Sequence, residues 1–325
     1  MSNITKTKIT QISKELCECN KILKERLFAF SNYKISFNPN FGPQIDIDLS
    51  DIKYEDCIDK FDESTEEYIY CDISTAITKY SSIFLDYFSK LIKSNENKYI
   101  SLNTALFNNG VFIYIRKNFK DIKIKRSKIF HSIDRTLIVL DENSSLKYDE
   151  VMKTLKGSFC ISVVEIFLNK NSKLIYSTRQ NFNSNVSHLS IKRAICDHSK
   201  IIINEKNIGS NISMSYPKCI LKNKCYGKIN IDVKSSKNSI KDVGYNIKHV
   251  GSNSKSIVNF NGYVKDGSSL TCRGNVIIDD ASDKCVSTIN SKMIVEDSTC
   301  VCNVIPVNIS CNKSSYINYN SCIND

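Results

Sequence analysis

From about Leu102 to the C-terminus, apolar residues recur at every second position in short β-branched runs. They read "GVFIYI", "RTLIVL", "FCISVVEIF", "KLIYST", "KIIINE", "KINIDV", "SIVNFNGYV", "NVIIDD", "KMIVED" and "CVCNVIPVNIS". Successive strand side chains point to opposite faces, so a period of two marks strands. Polar Asn, Ser, Asp and Gly stretches separate the runs. No helical pattern long enough for a βαβ crossover intervenes. A sandwich, a barrel or a solenoid satisfies these facts. Fairly even spacing, with no Asn-Gly hairpin turn between most runs, favours a parallel β-helix. Each coil then stacks on the next, with Val/Ile ladders inside and Asn at the corners.

The N-terminal third reads as helical. Ile9, Ile12, Leu16, Cys19 and Leu23 recur at steps of three and four and form one apolar stripe. The turn cluster "NPNFGP", Asn38 to Pro43, stops it. Asp72 is placed to N-cap a second helix with the stripe Ile77, Tyr80, Phe84, Phe88 and Leu91. Both stripes read as core.

Composition excludes several classes. At 41% hydrophobic the chain of 325 residues buries a core. No apolar run is long enough to span a bilayer. Met1 to Gln11 is polar, with neither the apolar stretch of a secretory signal nor the arginines of a transit peptide. Trp is absent and Pro and Gly number 4 and 10, whereas Asn, Lys, Ile and Ser abound. The abundant residues have AT-rich codons, so the net charge of +11 reads as codon drift, with lysine spread along the chain. No RNP-type or zinc-finger signature accompanies it, and no nucleic-acid partner is expected.

The 14 cysteines include no CxxC pair. Cys17 and Cys19 fall on a helix, where residues two apart diverge. Cys300 and Cys302 fall in a strand, where residues two apart share a face. That pair suits metal or sulfur; burial as small hydrophobes is the other reading.

Five blocks, in order, resemble the SufB/SufD family of iron–sulfur cluster assembly subunits. They are "LNTALFNNGVFIYI" (Leu102 to Ile115), "DRTLIV" (Asp134 to Val139), "YSTRQNFNSNVSHLSIKRAIC" (Tyr176 to Cys196), "GSNISMSYPKCIL" (Gly209 to Leu221) and the stretch from Asp242 to Val258. The resemblance runs from roughly Tyr68 onward. It implies a mainly β protein, a right-handed parallel β-helix preceded by a small helical N-terminal region. We expect residues 1–100 to form the helical or mixed region and 101–325 the β-helix. Gly251, in "HVGS", is expected at a tight corner, and His249 as a satisfied core histidine.

The resemblance also implies sulfur handling. Cys196 occupies the position of the family's sulfur-accepting cysteine, after Lys192 and Arg193. Two nearby cations would lower a thiol's pKa and favour thiolate; a buried strand cysteine is the alternative. The family's second cysteine aligns with Ile289, which has no ligating atom. Its histidine and glutamates align near Tyr319 to Ser321, and the lysine of its "TGTK" string is Asn246, with Lys248 two residues on. The family's C-terminal helical segment, which docks the SufC ATPase, has no counterpart before Asp325.

Two stories follow. In one, cluster ligands have moved to the late cysteines: Cys300 and Cys302 with Cys285 as a third, from a group that also holds Cys311 and Cys322. In the other, the chain is a degenerate, SufD-like structural subunit. The expectation is a non-enzymatic, SufB-like scaffold that receives sulfur from a donor protein and supports a transient iron–sulfur cluster with SufC-like and SufD-like partners. Composition and leader place it in an AT-rich, apicoplast-like plastid that encodes it. A β-helix polysaccharide lyase is the enzymatic rival; Asp279 and Asp280 are the one adjacent pair of aspartates in the β-region, and nothing flanks them to hold calcium.

Overall fold

A computed structural model describes residues 6–15, 19–32, 45, 60–129, 133–153 and 159–324. Helices α1 (Lys6–Glu15) and α2 (Asn20–Asn32) come first, then strand β1 (Tyr68–Asp72). Helices α3 (Ile73–Lys79), α4 (Ser81–Tyr87) and α5 (Lys98–Leu106) follow. The chain then alternates between two sheets. The even sheet receives β2 (Val111–Ile115), β4 (Ile133–Leu140), β6 (Phe159–Leu168), β8 (Ser187–Cys196), β10 (Ile212–Leu221), β12 (Ile240–His249), β14 (Ser269–Ile278) and β16 (Val301–Ser310). The odd sheet receives β3 (Ile122–Ile129), β5 (Ser145–Lys153), β7 (Lys173–Phe182), β9 (Lys200–Gly209), β11 (Tyr226–Ser235), β13 (Lys255–Val264), β15 (Val286–Val295) and β17 (Tyr316–Asn324). Every pairing is parallel except β1 with β2. The result is a parallel β-solenoid with helices at its start.

Strict alternation builds the interior. Inward residues stack in ladders such as Ile203, Ile229, Val258 and Ile289, all buried. Asparagines hold corners: Asn118, Asn143 and Asn171 have φ of 71°, 58° and 59°, and the Asn143 and Asn171 amides each donate to the preceding carbonyl oxygen. A second asparagine stack, unforeseen, runs mid-strand along the outer face of the odd sheet. Asn230, Asn259 and Asn290 each donate to the asparagine one coil before, at 2.7, 2.8 and 3.0 Å. At Gly251 an added Cβ would lie 2.5 Å from the Asn223 amide nitrogen, so this corner admits no side chain.

The helices cover the outer face of the early even strands. Ile9, Ile12, Phe84 and Leu106 share a core with Leu137, Ile161, Leu189 and Met214. Asp72 caps α3, accepting from the Ser74 and Thr75 amides at 2.8 and 3.0 Å. Three details differ from the sequence reading. The first stripe spans two helices, with Cys19 exposed between them; Leu16, Cys17 and Asn38 to Pro43 lie outside the described residues. The second stripe breaks at Tyr80, which caps α3 and begins α4. The β period starts at Val111 rather than near Leu102, because α5 intervenes and contains residue 100. Tyr99 to Leu106 are all buried, so that helix shows no amphipathic period. Asn97 caps it, and Arg26 donates to the Ala105 and Phe107 carbonyls at its end.

One ion pair fastens helices to solenoid. Arg135 and Glu165, each 1% exposed, meet at 2.7 Å, and Glu165 also accepts from the Ser89, Leu91 and Ile92 amides. Replacing Glu165 with Ala strands a buried guanidinium and should cost about 3–5 kcal/mol. The pair change Arg135→Met with Glu165→Leu should cost less than Glu165→Ala alone. Urea unfolding curves of the three proteins check the ordering.

Candidate functional site

The proposed sulfur acceptor ends β8. His188, Ser190, Lys192, Ala194 and Cys196 point inward, while Arg193 points out. This splits the two cations expected to serve the thiol. Lys192 Nζ donates to Glu205 Oε1 at 2.5 Å and to Ser190 Oγ at 3.0 Å. Arg193 pairs with Glu96 and donates to the Leu91 carbonyl at 3.1 Å, under the helices. Lys192 is four residues from Cys196, about 13 Å along an extended strand. Each cation thus has its own carboxylate, and neither faces the sulfur.

Cys196 itself is fully buried, in register with Leu168 and Leu221. Burial pushes its thiol well above the ordinary range, and the neighbouring Cys219 and Cys225 add to the rise. Burial also pushes Cys219 up to about 12. The expected low-pKa thiolate is therefore not what the fold builds: desolvation outweighs cations that are already neutralised. A polar column lies beside it in the interior. Glu205 accepts from Ser215 Oγ at 2.8 Å, and Lys192 lies 5.8 Å from the Tyr176 ring centroid. Tyr176 donates to Glu150 at 2.8 Å, and Arg126 reaches Glu150 at 3.4 Å.

The late cysteines do not form the expected trio. Cys285 is buried in the corner before β15, with its sulfur 3.2 Å from both Ser254 Oγ and the Gly251 carbonyl oxygen. Cys300 lies in the corner after β15, 3.4 Å from Asp297 Oδ2, not within a strand. The whole of β15 separates the two corners, roughly 30 Å at strand rise. Cys300 and Cys302 do stay together, both partly buried against the interior core at the last coil. Among the described residues, no group of three or more His, Cys, Asp or Glu side chains is placed to hold a metal ion.

Cys272, overlooked in the sequence, lies two residues past Leu270, the register partner of Cys302. It points inward on β14, one coil before, and burial together with Cys302 raises its pKa. Alternation in "SLTCRGNVII" carries that signal. Ile289 is a buried rung between Val258 and Tyr319, wholly apolar in role. Lys241 was also missed: it is buried, its amine contacts the Gly209 and Ser210 carbonyls and Ser210 Oγ, and burial pulls its pKa down to about 7. His249 is the core histidine expected, with ring nitrogens 2.6 and 2.9 Å from Ser254 and Ser256 hydroxyls. Lys248 faces out and pairs with Asp279 at 3.1 Å.

A family model described as "SUF system FeS cluster assembly, SufBD core domain" matches residues 123–321. The chain belongs to the SufBD family. A second model, "SufBD protein N-terminal region", matches residues 49–127, so the two matches meet at β3. The chain is 28% identical over 260 residues to the iron–sulfur cluster assembly protein SufB of Bacillus subtilis, covering 77% of this chain and 56% of that one. It is 29% identical over 253 residues to an iron–sulfur cluster assembly SufBD family protein of Staphylococcus saprophyticus, covering 74% and 54%. A SufBD family protein of Staphylococcus epidermidis is similar at 28% over 253 residues. The chain thus spans about half the length of these curated relatives. No helix among the described residues is long and apolar enough to cross a membrane.

Two outcomes follow from this SufBD geometry. In the native protein Cys196 should alkylate more slowly than the exposed Cys311 and Cys322, and equally fast after denaturation; timed labelling read by mass spectrometry checks it. Burial lowers His249 to about 4, whereas the unfolded residue titrates near about 6.5. The unfolded state therefore binds a proton first as pH falls. The His249 contribution is present above about pH 6.5 and is lost toward pH 4, by up to about 3 kcal/mol. His249→Gln should flatten that part of the stability–pH curve.

Proposed function

We propose that this SufBD chain is a SufB-like scaffold subunit in iron–sulfur cluster assembly, contributing thiols to a site that a SufD-like partner completes. The observation that carries this reading is the final coil. It holds Cys300 and Cys302 two residues apart and partly buried against the interior core, in the last of the described coils. The outer face of β16 is apolar and exposed at Val301, Ile305, Val307 and Ile309. An exposed apolar row beside two thiols suits contact with another protein surface. Two thiols are too few for a cluster, which needs further ligands, and a partner seated on this surface would supply them.

Cys196 remains the candidate acceptor of sulfur from a donor protein. Its corner ends in the half-exposed Asp197 and His198, so local opening there is what would admit a persulfide. ATP hydrolysis belongs to a SufC-like partner in this reading, and the chain is not itself an enzyme. The AT-biased composition supports a plastid, apicoplast-like setting.

A second reading, a SufD-like structural subunit with no cluster of its own, is favoured by Ile289 in the core and by the buried Cys196. Anaerobic purification with SufC-like and SufD-like partners, followed by iron and sulfide analysis, separates the two. The scaffold reading expects bound iron and sulfide that fall several-fold in Cys300→Ser/Cys302→Ser, with the circular dichroism spectrum unchanged. Absence of iron in the native complex, or iron indifferent to the double change, supports the structural subunit.

A further inference from the structure

The lysines are not spread evenly over the folded surface. Helices cover the outer face of the early even strands, whereas among the described residues no helix covers the outer face of the odd sheet, which is basic. One outward row carries Lys173, Lys200 and Lys255, with Tyr226 between the last two. Another, on the far side of the asparagine stack, carries Arg179, Lys206 and Lys292. From β5 onward, the acidic strand residues facing outward are Asp149 and Asp232, among the described residues. Asp149 is engaged by Lys147 at 3.5 Å, and Asp232 accepts from the Asn261 amide at 2.8 Å. Lys173, Lys206, Lys255 and Lys292 are exposed and have no carboxylate partner among the described residues. An open groove of about 850 Å³ is lined by the asparagine stack and by Arg179, Lys206, Asp232 and Lys292 of the second row, with the first row four residues back along the strands, outside it.

We propose that this face is a docking surface for an acidic partner protein, which lays an extended acidic segment along the asparagine row. Charge sets the sign of the partner: unneutralised cations repeat on coils spaced about 4.8 Å apart on a rigid sheet. The groove floor sets its kind. Each inner asparagine of the stack spends one N–H and one oxygen lone pair on its neighbours and keeps others facing out, a donor–acceptor set suited to a polypeptide backbone. Four-carbon lysine stems absorb the mismatch between coil spacing and an extended chain. A nucleic acid fits less well. Single strands need aromatic platforms, and the Tyr226 and Tyr263 rings already lie 4.8 and 5.5 Å from the Lys200 and Lys234 amines, outside the groove floor.

The proposal is independent of where the cluster is built, and its test reads binding alone. Fluorescent polyglutamate and a single-stranded oligothymidylate of equal charge are titrated with the whole chain at low salt. The triple change Lys206→Glu, Lys255→Glu, Lys292→Glu should weaken polyglutamate binding by about tenfold or more. An equal charge change on the helical side, Lys24→Glu, Lys90→Glu, Lys93→Glu, should leave it within about twofold. Circular dichroism confirms that each variant is folded, and Lys→Gln at 206, 255 and 292 gives an intermediate loss should the charge reversal prevent folding. Equal weakening by both triple changes, absence of polyglutamate binding, or tighter binding of oligothymidylate overturns the proposal, the last in favour of a nucleic acid.

Discussion

In-register stacking of parallel coils is the constraint on which everything else depends. Each strand's backbone groups are satisfied only by the coils before and after it, so a residue inherits its role from its position in the coil. From β6 onward every strand but the last keeps ten residues. Extra residues go into corners: Ile212 faces Ser187 and Val301 faces Ser269, a longer step late in the chain than early. Corners tolerate this because asparagine and glycine adopt positive φ there, and because small buried residues such as Ser199, Cys225, Ser254 and Cys285 fill the turn before each odd strand.

The same constraint decides which thiols can react. Alternation sends Lys192 inward and Arg193 outward, so two adjacent cations never share a face with one sulfur. Both then find carboxylates, Glu205 and Glu96, and desolvation is the largest influence left on Cys196. Cys300 and Cys302 differ because no further described coil covers them. Burial, not the count of nearby charges, separates the two groups of cysteines.

The fold was largely legible because a period of two, repeated with polar corners, has few solutions, and the five ordered blocks marked the family. The helix Lys98–Leu106 was not legible, since full burial erased its period. Ion-pair partners were not either: Glu205 and Glu96 sit far from Lys192 and Arg193 in sequence relations that only stacking reveals. Cys285 looked like a neighbour of Cys300 because they are close in sequence, yet a whole strand carries them to opposite corners. Cys272 looked remote from Cys302 and lies one coil away. In a solenoid, proximity follows the coil repeat, and residue-by-residue spacing misleads.

The proposed assembly site is the last described coil, where an exposed apolar row and two partly buried thiols coincide. Hydrogen exchange measured by mass spectrometry, with and without a SufD-like partner, tests that placement most directly. Alone, the amides of Val301–Ser310 and Tyr316–Asn324 should exchange faster than those of β6 to β13, and the partner should slow the former while leaving the latter unchanged. Equal protection of the last coil in the isolated chain, or partner-induced protection confined to other coils, would contradict the account.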